Sequence, residues 1–147
     1  MRHFSTNPNL MKVSVIGSAG KVGQALSLML KQSPLIDELC VHDVKPTSGF
    51  ATELEHIDTH CKVTAYTGKD MVENALQDSK VVVILAAGDE TDVLPFDRMW
   101  SVNANIVKEV VSLIVKNCPR AFLVIGTNPI NSLVPMACEV LKKIWLL

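Results

Sequence analysis

Apolar residues in this chain follow two periods in alternation. The run Val13-Ser14-Val15-Ile16, closed by Gly17, predicts a buried strand over residues 12–17. Val22, Ala25, Leu26, Met29 and Leu30 then recur at helical spacing, so a helix is expected over 20–32, with Pro34 just beyond it. The same reading gives strands at 39–43 and 62–66, a short helix at 49–57 and a single helical turn at 71–75. The β-branched run from Val81 through Ile84 to Ala87 is the clearest strand, apolar throughout as in a parallel sheet covered on both faces. A polar loop over 88–95 follows, then a helix over 96–117 with Val107, Val110, Val111, Ile114 and Val115 on one face. A fifth strand at 121–125 and a helix at about 131–143 close the pattern. Strictly alternating strands and helices imply parallel strands joined by right-handed crossovers. The expected fold class is therefore α/β, a doubly wound parallel sheet. Ligands in such folds sit outside the carboxyl ends of the strands, here Gly17, Asp43, Ala87-Gly88 and Thr127-Asn128.

The stretch Gly17-Ser18-Ala19-Gly20-Lys21-Val22-Gly23 stands between the first strand and the first helix. A glycine turn feeding a helix N-terminus makes an anion site, because backbone N–H groups and the positive end of the helix dipole converge there. Glycines let the backbone approach a pyrophosphate with no Cβ in the way. Asp43 ends the second strand about twenty residues after Gly23, where a dinucleotide fold places the carboxylate that holds the ribose hydroxyls. That carboxylate favours NAD over NADP, since it repels a 2′-phosphate. The spacing is G-x-x-G-x-x-G rather than G-x-G-x-x-G, so strand, helix and acid carry the reading more than the glycines alone.

Composition bounds the alternatives. The chain has 147 residues, 48% apolar and 20% charged, which suits one globular domain rather than a disordered chain. A net charge of −1 with no basic block argues against a nucleic-acid surface. No apolar run reaches the roughly 18 residues of a membrane span. Cys40, Cys61, Cys118 and Cys138 form no C-x-x-C and read as buried, reduced thiols.

Other polar residues admit two readings each. After the fifth strand, Gly126-Thr127-Asn128-Pro129-Ile130-Asn131-Ser132 puts the amide of Asn128 at the functional edge of the sheet, before a proline whose preceding bond is free to be cis. Asn131 or Ser132 equally suits a helix cap. Asn103-Ala104-Asn105 lies in the first turns of the long helix, reaching a ligand or lying on a solvated face. His56 and His60 stand four apart, but H-x-x-x-H alone defines no metal site, and none is expected. His42 is expected to pack or face solvent rather than react.

With these residues in place, the chain resembles malate dehydrogenase of the mitochondrial and related bacterial type over residues 11–143. The resemblance rests on Lys12-Val13 through Gly23-Gln24, Ser33-Pro34-Leu35, Asp43, Glu53-Leu54 with His56-Ile57-Asp58-Thr59, and Asp78 with Val81-Val82-Val83-Ile84. It continues through Ala87-Gly88, Asn103-Ala104, Asn128-Pro129-Ile130-Asn131-Ser132 and Glu139-Val140-Leu141-Lys142-Lys143. It implies a Rossmann NAD-binding domain over residues 11–147, preceded by an extension over 1–10. It implies NAD held along Gly17, Ser18, Ala19, Gly20, Lys21, Val22 and Gly23, by Asp43 and Asn103, and by Gly126, Thr127 and Asn128, with Asn128 also touching substrate. The implied chemistry is hydride transfer between malate or oxaloacetate and the nicotinamide ring, as in the tricarboxylic acid cycle. The 49–57 helix is implied to contribute to a dimer contact, with a second copy or with a full-length relative.

The sequence departs from the family at the substrate. The catalytic His, its Asp partner and one substrate arginine belong to the family's second half and have no counterpart here. The family's loop A-G-x-x-R-K-P-G-M-x-R carries the other two arginines, but this chain reads Ala87-Gly88-Asp89-Glu90-Thr91-Asp92-Val93-Leu94-Pro95-Phe96-Asp97-Arg98. Arg98 is its only cation, and counting back from Asn103 sets Phe96 at the second arginine's place. Three carboxylates there repel a dicarboxylate. The expectation is an NAD-binding half lacking the C-terminal substrate domain, inactive by itself, and completed for malate or oxaloacetate only by a second half. The alternative is a non-catalytic NAD-binding or interaction module. Lys21 replaces a small residue and either adds a cation beside the pyrophosphate or crowds the turn. The leading Arg2-His3-Phe4-Ser5 resembles the end of a mitochondrial presequence, pointing to the matrix, with the cytoplasm as the alternative. The apolar Ile144-Trp145-Leu146-Leu147 suggests a truncated or diverged paralogue whose end folds back or meets a partner.

Overall fold

The computed structural model describes residues 10–88 and 95–145. The extension at 1–9, the acidic stretch at 89–94 and the terminal pair 146–147 lie outside the described residues, and with them the readings made of their carboxylates, presequence and apolar end.

Five strands run parallel: β1 (Lys12–Ile16), β2 (Glu38–Asp43), β3 (Lys62–Thr67), β4 (Val81–Ile84) and β5 (Phe122–Ile125), in the order β3-β2-β1-β4-β5. The helices are α1 (Lys21–Lys31), α2 (Ser48–Glu55), α3 (Val72–Leu76, after a 3-10 turn at Lys69–Met71), α4 (Phe96–Asn117) and α5 (Ile130–Trp145). The doubly wound parallel sheet expected from the alternation is therefore the fold. The order reverses at β1, whose neighbours are β2 on one side and β4 on the other, so the crevice between their carboxyl ends is the switch point.

Strand side chains sort by the pleat into two cores. Ile16, Cys40, Val82 and Ile84 face α3, α4 and α5, packing on Leu76, Val107, Val111, Ile114 and Leu133. Val13, Val15, Leu39, Val41 and Val83 face the other way, onto Leu26 and Leu30 of α1 and Ala51 and Leu54 of α2. Several buried polar groups are tied down, while Ser18 Oγ, Ser27 Oγ and His42 Nδ1 are buried without a hydrogen-bond partner among the described residues. Ser14 Oγ donates to the carbonyl oxygen of Ala75 (2.7 Å), and Lys12 Nζ donates to that of Gln77 (2.8 Å). The fully buried Lys31 ammonium bonds the carbonyl oxygen of Cys61.

Three expectations need correction. β4 stops at Ile84 rather than Ala87. Leu85 N still bonds Ile16 O (2.8 Å), but β1 has by then turned away through Gly17, at φ +95°, and the ladder has no strand to continue on. Cys138 is exposed on α5 while the other three cysteines are buried. Asn103 does not lie on a solvated face; it is buried, whereas Asn105 is exposed.

Candidate functional site

The turn after β1 is assembled from the backbone. Gly17 N and Ser18 N both donate to the carbonyl oxygen of His42 (2.9 and 3.0 Å), which draws the start of the turn against the end of β2. Only glycine suits positions 17 and 23. A Cβ on Gly17 would stand 2.4 Å from Ala86 N, and one on Gly23 would stand 2.2 Å from Gly17 O. Gly20 differs: a Cβ there would meet only Gly17 O at 3.6 Å, an ordinary contact. The fold thus leaves space at the exposed Gly20, as a close-approaching ligand requires. Gly20 caps α1 with extended backbone and no side-chain hydrogen bond, and the first turn of α1 carries no acidic residue. The helix's leading N–H groups therefore remain for an anion.

Asp43 is built into the same turn. Its Oδ2 accepts from Ala19 N (2.9 Å) and its Oδ1 from Lys45 N (3.1 Å), so two backbone amides fix the carboxylate with lone pairs to spare. His42, beneath it, bonds the carbonyl oxygen of Gly68 through Nε2 (2.9 Å), tying β2 to the turn after β3. Around Asp43 opens a cavity of about 490 Å³ lined by Gly17, Ala19, Gly20, Val44, Lys45, Lys69, Ala86, Ala87 and Gly88. Ile106, Glu109, Val110 and Leu113 of α4 form its far wall. A long, partly apolar cleft with one anion-binding end and one fixed carboxylate fits a dinucleotide.

The predicted residues fall into three groups. Gly17, Ala19, Gly20 and Asp43 meet in the cavity, with Ser18 and Gly23 buried behind the turn. Lys21 and Val22 are exposed, and Lys21 lines a different groove, between α1 and α2, with Leu28, Phe50 and Ile57. At the β4–β5 end, a Cβ on Gly126 would stand 2.5 Å from Leu85 Cδ2, so glycine allows the loop to close on its neighbour. Thr127 Oγ1 donates to the carbonyl oxygen of Ala86 (2.9 Å). Asn128 is exposed and joined to Pro129 by a cis peptide bond. The buried amide of Asn103 bridges the two loops: Oδ1 accepts from Gly88 N (3.0 Å) and Nδ2 donates to Asn128 O (2.8 Å). Arg98 is exposed in the first turn of α4 and is not part of the cavity wall. Ile106 and Leu113 of the far wall belong to no motif, and Val110 reads as plain core. The helical spacing of the three from Asn103 is the signal the sequence offers for this wall. Among the described residues no cluster of His, Cys, Asp and Glu could hold a metal. No helix among them is long and apolar enough to cross a membrane.

Fold and site together define a dinucleotide-binding domain of the doubly wound class. The family model for the lactate/malate dehydrogenase NAD-binding domain matches residues 11–145, and the chain belongs to that family. It is 43% identical over 143 residues to the mitochondrial malate dehydrogenase of Caenorhabditis elegans, covering 97% of this chain and 41% of that protein. It is 44% identical over 132 residues to the chloroplastic malate dehydrogenase of Arabidopsis thaliana, covering 90% of this chain and 33% of the relative. Among solved structures, Eimeria maxima lactate dehydrogenase with NADH and oxamate superposes with a TM-score of 0.77 at 27% identity, over 96% of this chain and 42% of that one. The chain thus spans less than half the length of these relatives. The residues matched correspond to the NAD-binding part of these relatives.

Proposed function

We propose that this chain is the cofactor-holding half of a malate dehydrogenase, binding NAD along the glycine turn and not reducing oxaloacetate by itself. The observation that carries the reading is the bond between Ala19 N and Asp43 Oδ2, which joins the phosphate turn and the ribose acid in one cavity. In this reading the N–H groups from Gly20 to Gly23 hold the pyrophosphate, and Asp43 accepts from the ribose hydroxyls. The apolar α4 wall receives the adenine, and the loop of Gly126, Thr127 and Asn128 faces the nicotinamide half. Bound NAD supplies hydride transfer to and from the C2 of malate or oxaloacetate. Asn128 orients the reacting end with its exposed amide. The proton-accepting His–Asp pair is assigned to a second half, and Arg98, outside the cavity wall, is a weak candidate for gripping a carboxylate. Malate or oxaloacetate binding is accordingly assigned to the chain only when a second half completes it.

The partner reading rests on α1, where Val22, Leu28 and Met29 are exposed beside the groove lined by Phe50 and Ile57. We assign this face to a homo- or heterodimer contact. Residence in the mitochondrial matrix is proposed from Arg2-His3-Phe4-Ser5 and the mitochondrial relative. The test is an NADH titration followed by fluorescence, with an oxaloacetate assay alongside. Saturable binding, weakened about tenfold or more by Asp43→Ala, with no turnover, is expected. Binding that ignores Asp43→Ala overturns the site, and turnover by residues 1–147 alone overturns the division of labour.

A further inference from the structure

We propose that Asn103 is a positioning residue that fixes the loops after β4 and β5 for the nicotinamide half of the cofactor. The inference rests on the proposed NAD site and goes beyond it, because the side chain acts through backbone groups of two loops. β4 and β5 part company where the ladder ends, at the bond from Gly126 N to Ile84 O (2.9 Å). Beyond that point one side chain of α4 spans the gap. Asn103, 1% exposed, accepts from Gly88 N at 3.0 Å and donates to Asn128 O at 2.8 Å.

The chemistry of the bridge selects the residue. Gly88 offers a donor and Asn128 an acceptor, so the spanning group needs one acceptor and one donor at fixed separation, which a primary amide supplies. The partners also decide which amide atom is oxygen and which nitrogen. A carboxylate would keep the Gly88 bond and set an oxygen against the Asn128 carbonyl. An alanine would remove both bonds at once. Thr127, 2% exposed, braces the same gap from the loop after β5 through its bond to Ala86 O, so Asn103 controls the outer end of a partly stapled pair.

Position along the cofactor makes the proposal specific. Asp43 on β2 marks the adenosine half, so the dinucleotide crosses β1 toward β4 and β5 with its nicotinamide half last. Loosening the Gly88–Asn128 bridge acts on that half and spares the adenosine half. A general loss of structure would weaken both.

The experiment titrates the unaltered chain, Asn103→Asp and Asn103→Ala with NADH and, separately, with AMP. Expected is a fall of about tenfold in NADH affinity for both variants, with AMP affinity unchanged within about twofold. NADH affinity unchanged in folded variants, or NADH and AMP weakened in parallel, overturns the proposal. Amide exchange measured on the unaltered chain keeps the test independent of variant folding. The Gly88 N–H and the Asn103 side-chain N–H should both be protected, and exchange of both at solvent rates overturns the bridge. Failure of the unaltered chain to bind NADH is a separate result. It overturns the proposed function and, with it, the role given to Asn103.

Discussion

Gly20 and Gly23 sit three residues apart in one motif and do different things. A Cβ on Gly23 runs into Gly17 O at 2.2 Å, a backbone atom that cannot swing aside. A Cβ on Gly20 meets the same oxygen at a comfortable 3.6 Å. Gly23→Ala should therefore cost about 2 kcal/mol or more of stability in a denaturant melt. Gly20→Ala should leave stability within about 0.5 kcal/mol while weakening NADH binding about tenfold. Equal melting losses for the two variants would refute this separation. The sequence displays all three glycines alike. Which of them serves the fold and which leaves room for a ligand depends on atoms from the loop after β4 and from the turn itself. The cysteines sort in the same way. Burial pushes the Cys118 thiol up to about 11 from an ordinary 9.0, and raises Cys40 and Cys61 as well. Between those two values the unfolded chain loses the Cys118 proton and the folded chain keeps it. The contribution to stability is thus full below pH 9 and is lost toward pH 11. A melting temperature that falls over this window, with a shallower fall in Cys118→Ala, is the expected result. Alkylation at neutral pH should label the exposed Cys138 first and the three buried thiols only on unfolding.

Helices α4 and α5 show how far periodicity carries and where it stops. The span of α4, Phe96–Asn117, agrees with the sequence because Pro95 marks its start and a long valine–isoleucine stripe defines its face. That stripe delivers Val107, Val111 and Ile114 to the same core as Leu133 of α5, which is wholly buried. Leu133→Ala should cost about 3 kcal/mol, measured as a lower denaturation midpoint with an unchanged slope. A loss below about 1 kcal/mol would mean that α5 is not firmly seated. Periodicity also hides something. Asn103 occupies a buried position of the α4 stripe, and a polar residue there reads as a break in the pattern. Its partners are the backbone of two loops, far along the chain and silent in side-chain sequence. The overrun of β4 has a similar origin. Leu85-Ala86-Ala87 is strand-like in composition, but a strand ends where its neighbour leaves, and Gly17 sets that point from another part of the sequence.

Across the whole molecule the two faces of the sheet are unequally covered. Helices α3, α4 and α5 pack on one face, while only α1 and α2 pack on the other, over β1, β2 and β3. The register that sets Phe122 beside Val81 and Val124 beside Val83 carries the second face outward onto the edge strand β5. There the cover runs out: Phe122 is 77% exposed and Val124 48%, whereas their β5 neighbours Leu123 and Ile125 pack against the α4–α5 core. An apolar row on an edge strand, with backbone groups open on its outer side, is a surface prone to pairing. A protein of residues 1–147 should therefore bind a hydrophobic dye and self-associate as its concentration rises, more readily than its near-neutral charge alone would cause. Phe122→Lys, which points a charge from the bare face, should suppress the dye binding and the association through β5 while leaving a dimer through the α1 face. Melting temperature and NADH affinity should stay where they were, since the substitution lies at the amino end of β5 and the cofactor cavity lies beyond the carboxyl ends. Sedimentation of the two proteins over a concentration series separates the possibilities. If the unaltered chain is monodisperse and binds no dye, the β5 face is not sticky, and the exposure of Phe122 has no consequence in solution. If Phe122→Lys self-associates as strongly as the unaltered chain, the contact lies elsewhere, and the α1 face with Val22, Leu28 and Met29 becomes the surface to substitute next.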